Sequence, residues 1–470
     1  MKRCRMSWCA ALFVALCFST VTWAQAAGPT AEDNWVSKKL LSGEMTPLRL
    51  DGFSKPAANS SPPTLGQVIL NETSGQSAVS LEDLIAEALR NNPEIQAAER
   101  MVDARRAVSP QVRSLPDPTL SVGWMGNLVP PFAVQTGDPS SSRTLSISQD
   151  IPYPGKLALQ GRIADTEADA ERWTVEQVKL AVISNLKQTY YDLSFINKSI
   201  ETVQKDKDLL EKLAQIAEAR YSVGKGMQQD VIRSQVEVSR LLERQTLLEQ
   251  RRDVAEAMLR SLLFRPPNAP LGTPAELKRT EVAFSFDDLE RMAEVHSPEL
   301  RTEEREIDKN QLALNLARKN YYPDFGVSFT YANRPVLPEM YGFNFTAKVP
   351  LYFWKKQRYG VEEAASTLAS SQRQIESVKT NLLFKLKDRY LSMKASERLM
   401  DLYSKAIVPQ STLALDASLS AYQVGSLDFL SLISNFNTVL DYELNYYDAL
   451  TNYHKAVAQL EETVGAPLTP

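Results

Sequence analysis

Two short segments, Tyr221-Ser-Val-Gly224 and Tyr422-Gln-Val-Gly425, determine how the whole chain is arranged. Their glycines lie 201 positions apart (425 − 224), and each segment separates two long stretches that are nearly free of Gly and Pro. Glycine commonly ends a helix because it adopts left-handed backbone angles without strain. Each segment is therefore predicted to be a tight turn between two long helices, and the chain is predicted to contain one structural unit twice.

Other landmarks repeat with nearly the same spacing. Ser80-Leu-Glu-Asp-Leu84, which has the serine cap and acidic first turn of a helix, returns as Ser285-Phe-Asp-Asp-Leu289. The predicted boundaries are a first repeat at residues 79–268, a linker at 269–283, a second repeat at 284–465 and a C-terminal tail at 466–470.

Within each repeat, the period of the apolar residues changes from helical to alternating. In the second repeat, Phe325, Val327 and Phe329 alternate with small or polar residues, which predicts a strand with one apolar face. The predicted strands are residues 119–127 and 143–151 in the first repeat and 324–333 and 342–349 in the second. Each pair is close enough in sequence to form a hairpin.

Two long helical hairpins are predicted after the strands, at residues 156–265 and 355–464. Residues 162–223 contain no Gly or Pro, so they are predicted to form one helix roughly 90 Å long, at about 1.5 Å per residue. Apolar residues recur there every three or four positions, as in a coiled coil. The second hairpin is predicted to kink at Pro409.

The N-terminal residues predict export. Residues 1–26 have the order of a secretory signal peptide, with early basic residues, an apolar run and small residues ending at Ala26. Cys17 follows Leu16 rather than a small residue, so cleavage after Ala26 is favoured and lipidation of Cys17 is the alternative. Residues 27–78 are rich in Pro, Ser, Asn and Gly without periodicity, which predicts an extended arm.

The composition argues against several kinds of chemistry. The predicted signal contains three basic residues and no acid, so its removal changes the formal charge from −4 to −7 and disfavours nucleic acid as a partner. All three cysteines lie in the signal, and neither His296 nor His454 belongs to a His-x-x-x-His pair. We predict no cofactor, no metal site and no catalytic residue.

Four strands per chain are too few for a closed transmembrane barrel. Three copies would supply twelve strands, each close to the roughly 9 to 11 residues that a tilted membrane strand needs. The predicted fold class is therefore mainly α with a membrane β-barrel: a homotrimer with a 12-stranded β-barrel and an α-helical periplasmic barrel. Aromatic residues that flank the strands are expected to contact outer-membrane lipid at one rim: Tyr153, Tyr321, Tyr322, Tyr352, Phe353 and Trp354.

Polar residues on the return helices indicate a water-filled lumen rather than a sealed hydrophobic bundle. Simple solvent exposure is the alternative explanation for each of them. They occupy seam-like positions: Gln229, Asp230, Arg233, Ser431, Ser434, Asn435 and Asn437.

The order and duplication of these features resemble the outer-membrane efflux protein (TolC-like) family. The resemblance covers about residues 79–465 and rests on the two Tyr-x-x-Gly turns and on Gln149-Asp-Ile-Pro-Tyr-Pro-Gly-Lys-Leu157 at a strand-to-helix junction. Leu115-Pro-Asp-Pro118 and the Pro-Tyr-Pro-Gly-Lys phrase resemble the heavy-metal-efflux outer-membrane subgroup.

The resemblance implies a homotrimer whose periplasmic tips are closed until a periplasmic adaptor and an inner-membrane pump engage them. By position, the tip residues that would meet the adaptor are Tyr221, Val223, Gly224, Tyr422, Val424 and Gly425. Where the family often has gate acids after the second turn glycine, this chain has Ser431 and Ser434. The acids nearest the tips, Asp230 and Asp428, would each form a ring of three, with Arg233 placed to pair with Asp230.

We therefore predict a passive exit duct of a tripartite efflux pump in the bacterial outer membrane, carrying metal ions or drugs. A periplasmic coiled-coil adaptor or scaffold is one alternative, and the duct of a type I protein secretion system is another. An adaptor would need a compact β domain and would not place aromatic residues at one rim. The sequence identifies neither the cargo nor the pump.

Overall fold

The computed structural model describes residues 80–126, 134, 138–280, 282–334 and 336–468. The predicted signal peptide at residues 1–26 and the predicted arm at 27–78 lie outside these residues. Among the helices in the described part of the chain, none is long and apolar enough to cross a membrane.

The first repeat begins with two helices and a pair of strands and ends with two long helices. In chain order these are α1 (Leu81–Asn91), α2 (Pro93–Arg113), β1 (Thr119–Met125), β2 (Ser142–Ile151), α3 (Lys156–Ser222) and α4 (Gln228–Leu262). The second repeat has the same order: α5 (Phe286–His296), α6 (Pro298–Lys319), β3 (Asp324–Asn333), β4 (Met340–Lys348), α7 (Lys356–Leu402), a π-helical turn (Tyr403–Ile407), α8 (Val408–Val424) and α9 (Phe429–Val464).

Side-chain caps fix where the short helices start. The Ser80 hydroxyl accepts from the Glu82 N–H at the start of α1, and Ser285 forms a reciprocal capping box with Asp288 at the start of α5. Asn92 caps α2, and Pro93 occupies its first position, where the missing N–H is not needed.

The four strands form one antiparallel sheet in the order β1-β2-β3-β4. Each repeat supplies a hairpin, and the hairpins join where β2 pairs with β3, for example Ile147 with Phe329. The strands differ slightly from their predicted bounds, since β1 ends at Met125 rather than near residue 127 and β4 covers Met340–Lys348 rather than 342–349.

The long helices pack through three apolar clusters. One joins α5, α7 and α9, and includes Leu289, Leu386 and Tyr453. A second joins α1, α3 and the end of α4. The third lies where the two helical hairpins approach their turns, around Leu210 and Phe436. Because α3 and α9 contribute to these clusters from different repeats, their contact holds the two repeats together.

The descending helices of the two repeats differ. α3 is one helix of 67 residues, whereas its counterpart is divided into α7 and α8 by the five-residue π-helical turn Tyr403–Ile407. Pro409 follows directly in the first turn of α8. The irregularity therefore lies just before the proline at which the sequence predicts a kink.

Candidate functional site

One face of the sheet is apolar and open to its surroundings. In each row across the sheet the apolar side chains stand opposite one another, as in Val122–Leu145 and Phe329–Phe343. Phe343 and Val122 are each 83% exposed. The face consists of Leu120, Val122, Leu145, Ile147, Val327, Phe329, Tyr331, Tyr341, Phe343 and Phe345. Leaving this much apolar surface in water is unfavourable, so the face requires an apolar environment.

The opposite face of the same strands is polar. Ser121 stands opposite Ser146, and Ser146 stands opposite Thr330. At the helical end of this face, Lys348 Nζ lies 2.6 Å from Asp150 Oδ2, and Gly326 lies between their strands without a side chain to separate them. An apolar face opposed by a polar, charged face is the arrangement of a strand pair with lipid on one side and water on the other.

Both edges of the sheet are open. Within the described residues, β1 pairs only with β2 and β4 pairs only with β3. The outer backbone groups of β1 and β4 are therefore available to other strands.

An ion pair with a buried lysine joins the two repeats where the sheet meets the helices. Lys156, at the start of α3, lies 2.8 Å from Asp324 at the start of β3, and its side chain is only 8% exposed. The same Asp324 oxygen accepts from the Tyr153 N–H at 2.8 Å. These contacts link the start of α3 in the first repeat to the start of β3 in the second.

The structure groups five of the six predicted rim aromatics into two clusters. Tyr153 stacks on Tyr322 with ring centroids 4.6 Å apart. The Trp354 ring lies 5.1 Å from Phe353 and 6.1 Å from Tyr352. The sixth, Tyr321, is exposed beside Tyr322. All six lie at the helical end of the strands.

The two helical turns have the same backbone conformation. Gly224 and Gly425 adopt φ of 73° and 84°, and the N–H groups of Lys225 and Ser426 donate to the carbonyls of Arg220 and Ala421 at 2.9 and 3.0 Å. This is the hydrogen-bond pattern of a glycine-terminated helix. Val223 and Val424 are exposed at the ends of the turns.

The two tyrosines before these glycines occupy different environments. Tyr221 is 46% exposed, whereas Tyr422 is 2% exposed. The Arg220 guanidinium stacks over the Tyr422 ring at 4.6 Å and donates to the Tyr422 carbonyl. The ring centroids of Tyr422 and Phe429 lie 5.5 Å apart. Arg220 therefore joins the tip of the first hairpin to the tip of the second.

Burial raises the pKa of Tyr422, and the negative charge of Asp230 raises it further. The Tyr422 hydroxyl has no hydrogen-bond partner among the described residues. Asp230 therefore lies close to the junction of the two tips, in the first turn of α4, where the helix dipole favours a negative charge.

The predicted pairing of Arg233 with Asp230 is wrong. Within the described part of the chain no ion pair joins them, and Arg233 Nε is buried without a hydrogen-bond partner. Arg233 as a whole is half-buried, and its guanidinium does not reach back along the helix to Asp230.

Asp428 has a role that the sequence analysis missed: it caps α9. Its carboxylate accepts from the Ser431 N–H at 3.1 Å and from the Ser431 hydroxyl at 2.7 Å. These hydrogen bonds hold the pKa of Asp428 below its usual value. Ser434 lies exposed one turn further on. The Asp-x-x-Ser spacing before an apolar run was the available signal for a helix cap.

The two roles of Asp428 can be separated. We expect Asp428→Ala to loosen the start of α9, whereas Asp428→Asn should keep the cap because Asn is also a favoured N-cap residue. Hydrogen exchange at residues 429–432 measures the cap, and the cation preference of the pore measures the charge. If a ring of carboxylates acts on cations, both variants should change the preference. A preference that changes only in the Ala variant would contradict that ring.

Comparison with known proteins shows which family contains this arrangement of repeats. The family model for outer membrane efflux proteins matches residues 84–263 and 289–466, one segment in each repeat. The chain belongs to the outer membrane efflux protein family. It is an efflux channel protein of the outer membrane, and members of the family are channels.

Relatives and solved structures agree with this membership. Nodulation protein T of Rhizobium leguminosarum bv. trifolii is 20% identical over 83% of this chain and 86% of its own length. Cobalt-zinc-cadmium resistance protein CzcC of Cupriavidus metallidurans is 19% identical over 82% of this chain and 90% of its own length. The structure of CusC superimposes with a TM-score of 0.71 at 15% identity, over 88% of this chain and 99% of that one. The predicted fold class, a mainly helical chain with a duplicated unit and a small antiparallel sheet, is confirmed.

Proposed function

We propose that three copies of this chain form a passive exit duct whose strands pool into one 12-stranded barrel. The observation that carries the proposal is the sheet itself, which is apolar on one face, polar on the other and open at both edges. Pairing β4 of one copy with β1 of the next would satisfy both edges and place the apolar face in lipid. The polar face would then line a water-filled lumen.

The helices support the same assembly. α4 and α7 each carry a row of exposed apolar side chains, with steps of seven such as Leu247 to Val254 and Phe384 to Leu391. Rows with this spacing are typical of helix-to-helix packing. In the proposed trimer these rows would pack between copies, and the helices would continue the duct through the periplasm.

The proposed partners engage the tips. Val223 and Val424 are exposed at the turns and, with Tyr221, offer an apolar surface for a periplasmic adaptor that connects the duct to an inner-membrane pump. The proposed gate lies just above, at Asp230, Asp428, Ser431 and Ser434. The proposed cargo includes divalent metal ions, since CzcC is named for cobalt, zinc and cadmium resistance. We propose no enzymatic activity.

Cysteine cross-linking tests the assembly directly. Because all three cysteines lie in residues 1–17, the chain cleaved at the predicted signal site contains no background thiol. A scan of cysteine pairs, one on β1 and one on β4, should yield covalent dimers and trimers, and the single variants should yield none. The purified protein should also form narrow, largely closed pores in a lipid bilayer. A monomer without conductance and without inter-chain cross-links would contradict the proposal.

A further inference from the structure

A ladder of polar side chains runs along the contact between α3 and α9, the helices that join the two repeats. Lys187 Nζ lies 2.5 Å from Glu461 Oε2, and Gln459 Nε2 donates to Gln188 Oε1 at 2.7 Å. Each of these rungs matches a donor with an acceptor.

The ladder continues toward the turns with two more favourable contacts, each of which involves a lysine. Lys455 Nζ lies 2.9 Å from both carboxylate oxygens of Asp192. Lys198 Nζ then lies over the Tyr447 ring, 5.6 Å from its centroid. The sequence positions rise along α3 as they fall along α9, as expected for two antiparallel helices.

The next position along the contact differs from the others, because both of its side chains are acids. Asp206 of α3 and Glu443 of α9 line the same cavity of about 580 Å³. Neither carboxylate makes a hydrogen bond or an ion pair among the described residues. Two half-buried carboxylates that line one cavity without an ion pair or hydrogen bond cannot both carry a charge cheaply.

Each cation near Asp206 and Glu443 forms an ion pair with some other acid. On α3, Lys205 pairs with Glu201 at 2.5 Å. On α4, Arg244 pairs with Asp441 of α9 at 3.1 Å. The other charged or titratable groups that line the cavity are Lys198, Tyr446 and Tyr447. Lys198 pairs with Glu201 and Glu276. On the π-helical turn, Lys405 pairs with Asp401.

The cavity also touches the irregular part of the second descending helix. Ser404 of the π-helical turn and Val408 at the start of α8 form part of its wall. A π-helical turn interrupts the regular hydrogen bonding of an α-helix and is frequently found at functional sites. The acid pair therefore lies where α3, α9 and the joint between α7 and α8 meet.

We propose that Asp206 and Glu443 share a proton, and that this proton sets how tightly α3, α9 and the π-helical turn pack together. With the proton bound, one carboxyl can donate to the other and the cavity stays closed. When the proton is released to water, the two negative charges repel and draw water into the cavity. The joint then loosens, and with it α8, which leads to the Tyr422 tip.

The carboxyl group of Asp206 titrates near neutral pH. Burial, with the charge of Glu443 adding to it, raises the pKa of Asp206 to about 7, and burial raises the pKa of Glu443. Because the pKa of Asp206 is raised in the folded chain, the folded state gains stability when the proton is bound. That stability is present at acid pH and is lost as the pH rises through about 7.

Hydrogen exchange of the full-length protein in detergent tests the proposal. Protection factors, which correct for the intrinsic effect of pH, should fall by at least about tenfold at residues 403–408 between pH 5 and pH 8, since each unit by which the pKa is raised corresponds to about a factor of ten. In Asp206→Asn the protection should be high and independent of pH. Infrared spectroscopy should show a carboxylic acid band that titrates near neutral pH in the wild type and is missing from this variant.

Two further variants complete the test. Glu443→Gln removes the neighbouring charge and should move the titration to lower pH. Asp192→Asn is the matched control, because Asp192 belongs to a rung with a cationic partner; it should lower protection equally at both pH values. An Asp206→Asn variant that keeps the wild-type pH profile, or a wild type whose protection does not change, would overturn the proposal. The test does not depend on trimer formation or conductance.

Discussion

Phe343→Lys is expected to prevent the protein from assembling in the outer membrane. Phe343 lies near the middle of β4, is 83% exposed and belongs to the apolar face of the sheet. A lysine facing lipid near the bilayer midplane costs about 2–4 kcal/mol per strand, and a trimer would contain three of them. Assembly is measured in isolated outer membranes as a trimer band on a gel that disappears when the sample is heated. We expect this trimer to be lost.

Asn344→Lys is the matched control for this experiment. Asn344 is the next residue of the same strand and belongs to the polar face, next to Ser328. A lysine there would point into the lumen, so trimer should form normally and only ion selectivity should change. If Phe343→Lys also assembled normally, the apolar face would not contact lipid, because an exposed Phe in water can be replaced by Lys at little cost.

Lys187→Met is expected to produce the largest loss of folding stability. Lys187 and Glu461 form a buried pair, with side chains 14% and 8% exposed, and the other Glu461 oxygen accepts from the Leu468 N–H at 3.0 Å. Removing the lysine leaves a buried carboxylate without its cation, which costs about 3–5 kcal/mol. The thermal unfolding midpoint of the purified protein should fall clearly.

The control for this substitution is Lys379→Met. Lys379 pairs with Glu294 at the same distance, 2.5 Å, but the two side chains are 50% and 41% exposed. Ion pairs in water contribute little, so the unfolding midpoint should stay within error. A double variant, Lys187→Met with Glu461→Leu, should recover part of the lost stability because neither charge of the buried pair remains. Equal effects of the two Lys substitutions would contradict the importance of burial.

Local patterns in the sequence were sufficient to predict the repeated elements. Serine caps, alternating apolar residues and turn glycines each act within a few positions, so Ser285, Phe343 and Gly425 could be interpreted without knowing what lies near them in space. The same kind of local signal is present at Asp428, which caps a helix by accepting from the Ser431 N–H three positions later.

Contacts between the repeats could not be predicted in this way. Lys156 and Asp324 are separated by 168 positions and Arg220 and Tyr422 by 202, and no periodicity links them. The pairing of β2 with β3 likewise depends on how the two repeats dock. For Arg233, helical spacing alone predicted an ion pair with Asp230, but the Arg233 Nε is buried without a partner and the described residues contain no such pair.

The π-helical turn coincides with a difference in length between the two descending helices. The descending helices begin at Lys156 and Lys356, 200 positions apart, and end before Gly224 and Gly425, 201 positions apart. Between these landmarks the second descending segment is thus one residue longer than the first. In a continuous helix the additional residue would rotate everything beyond it by about 100° and advance it by about 1.5 Å. The wider π-helical turn can accommodate the additional residue locally, and Tyr422 keeps its contact with Arg220.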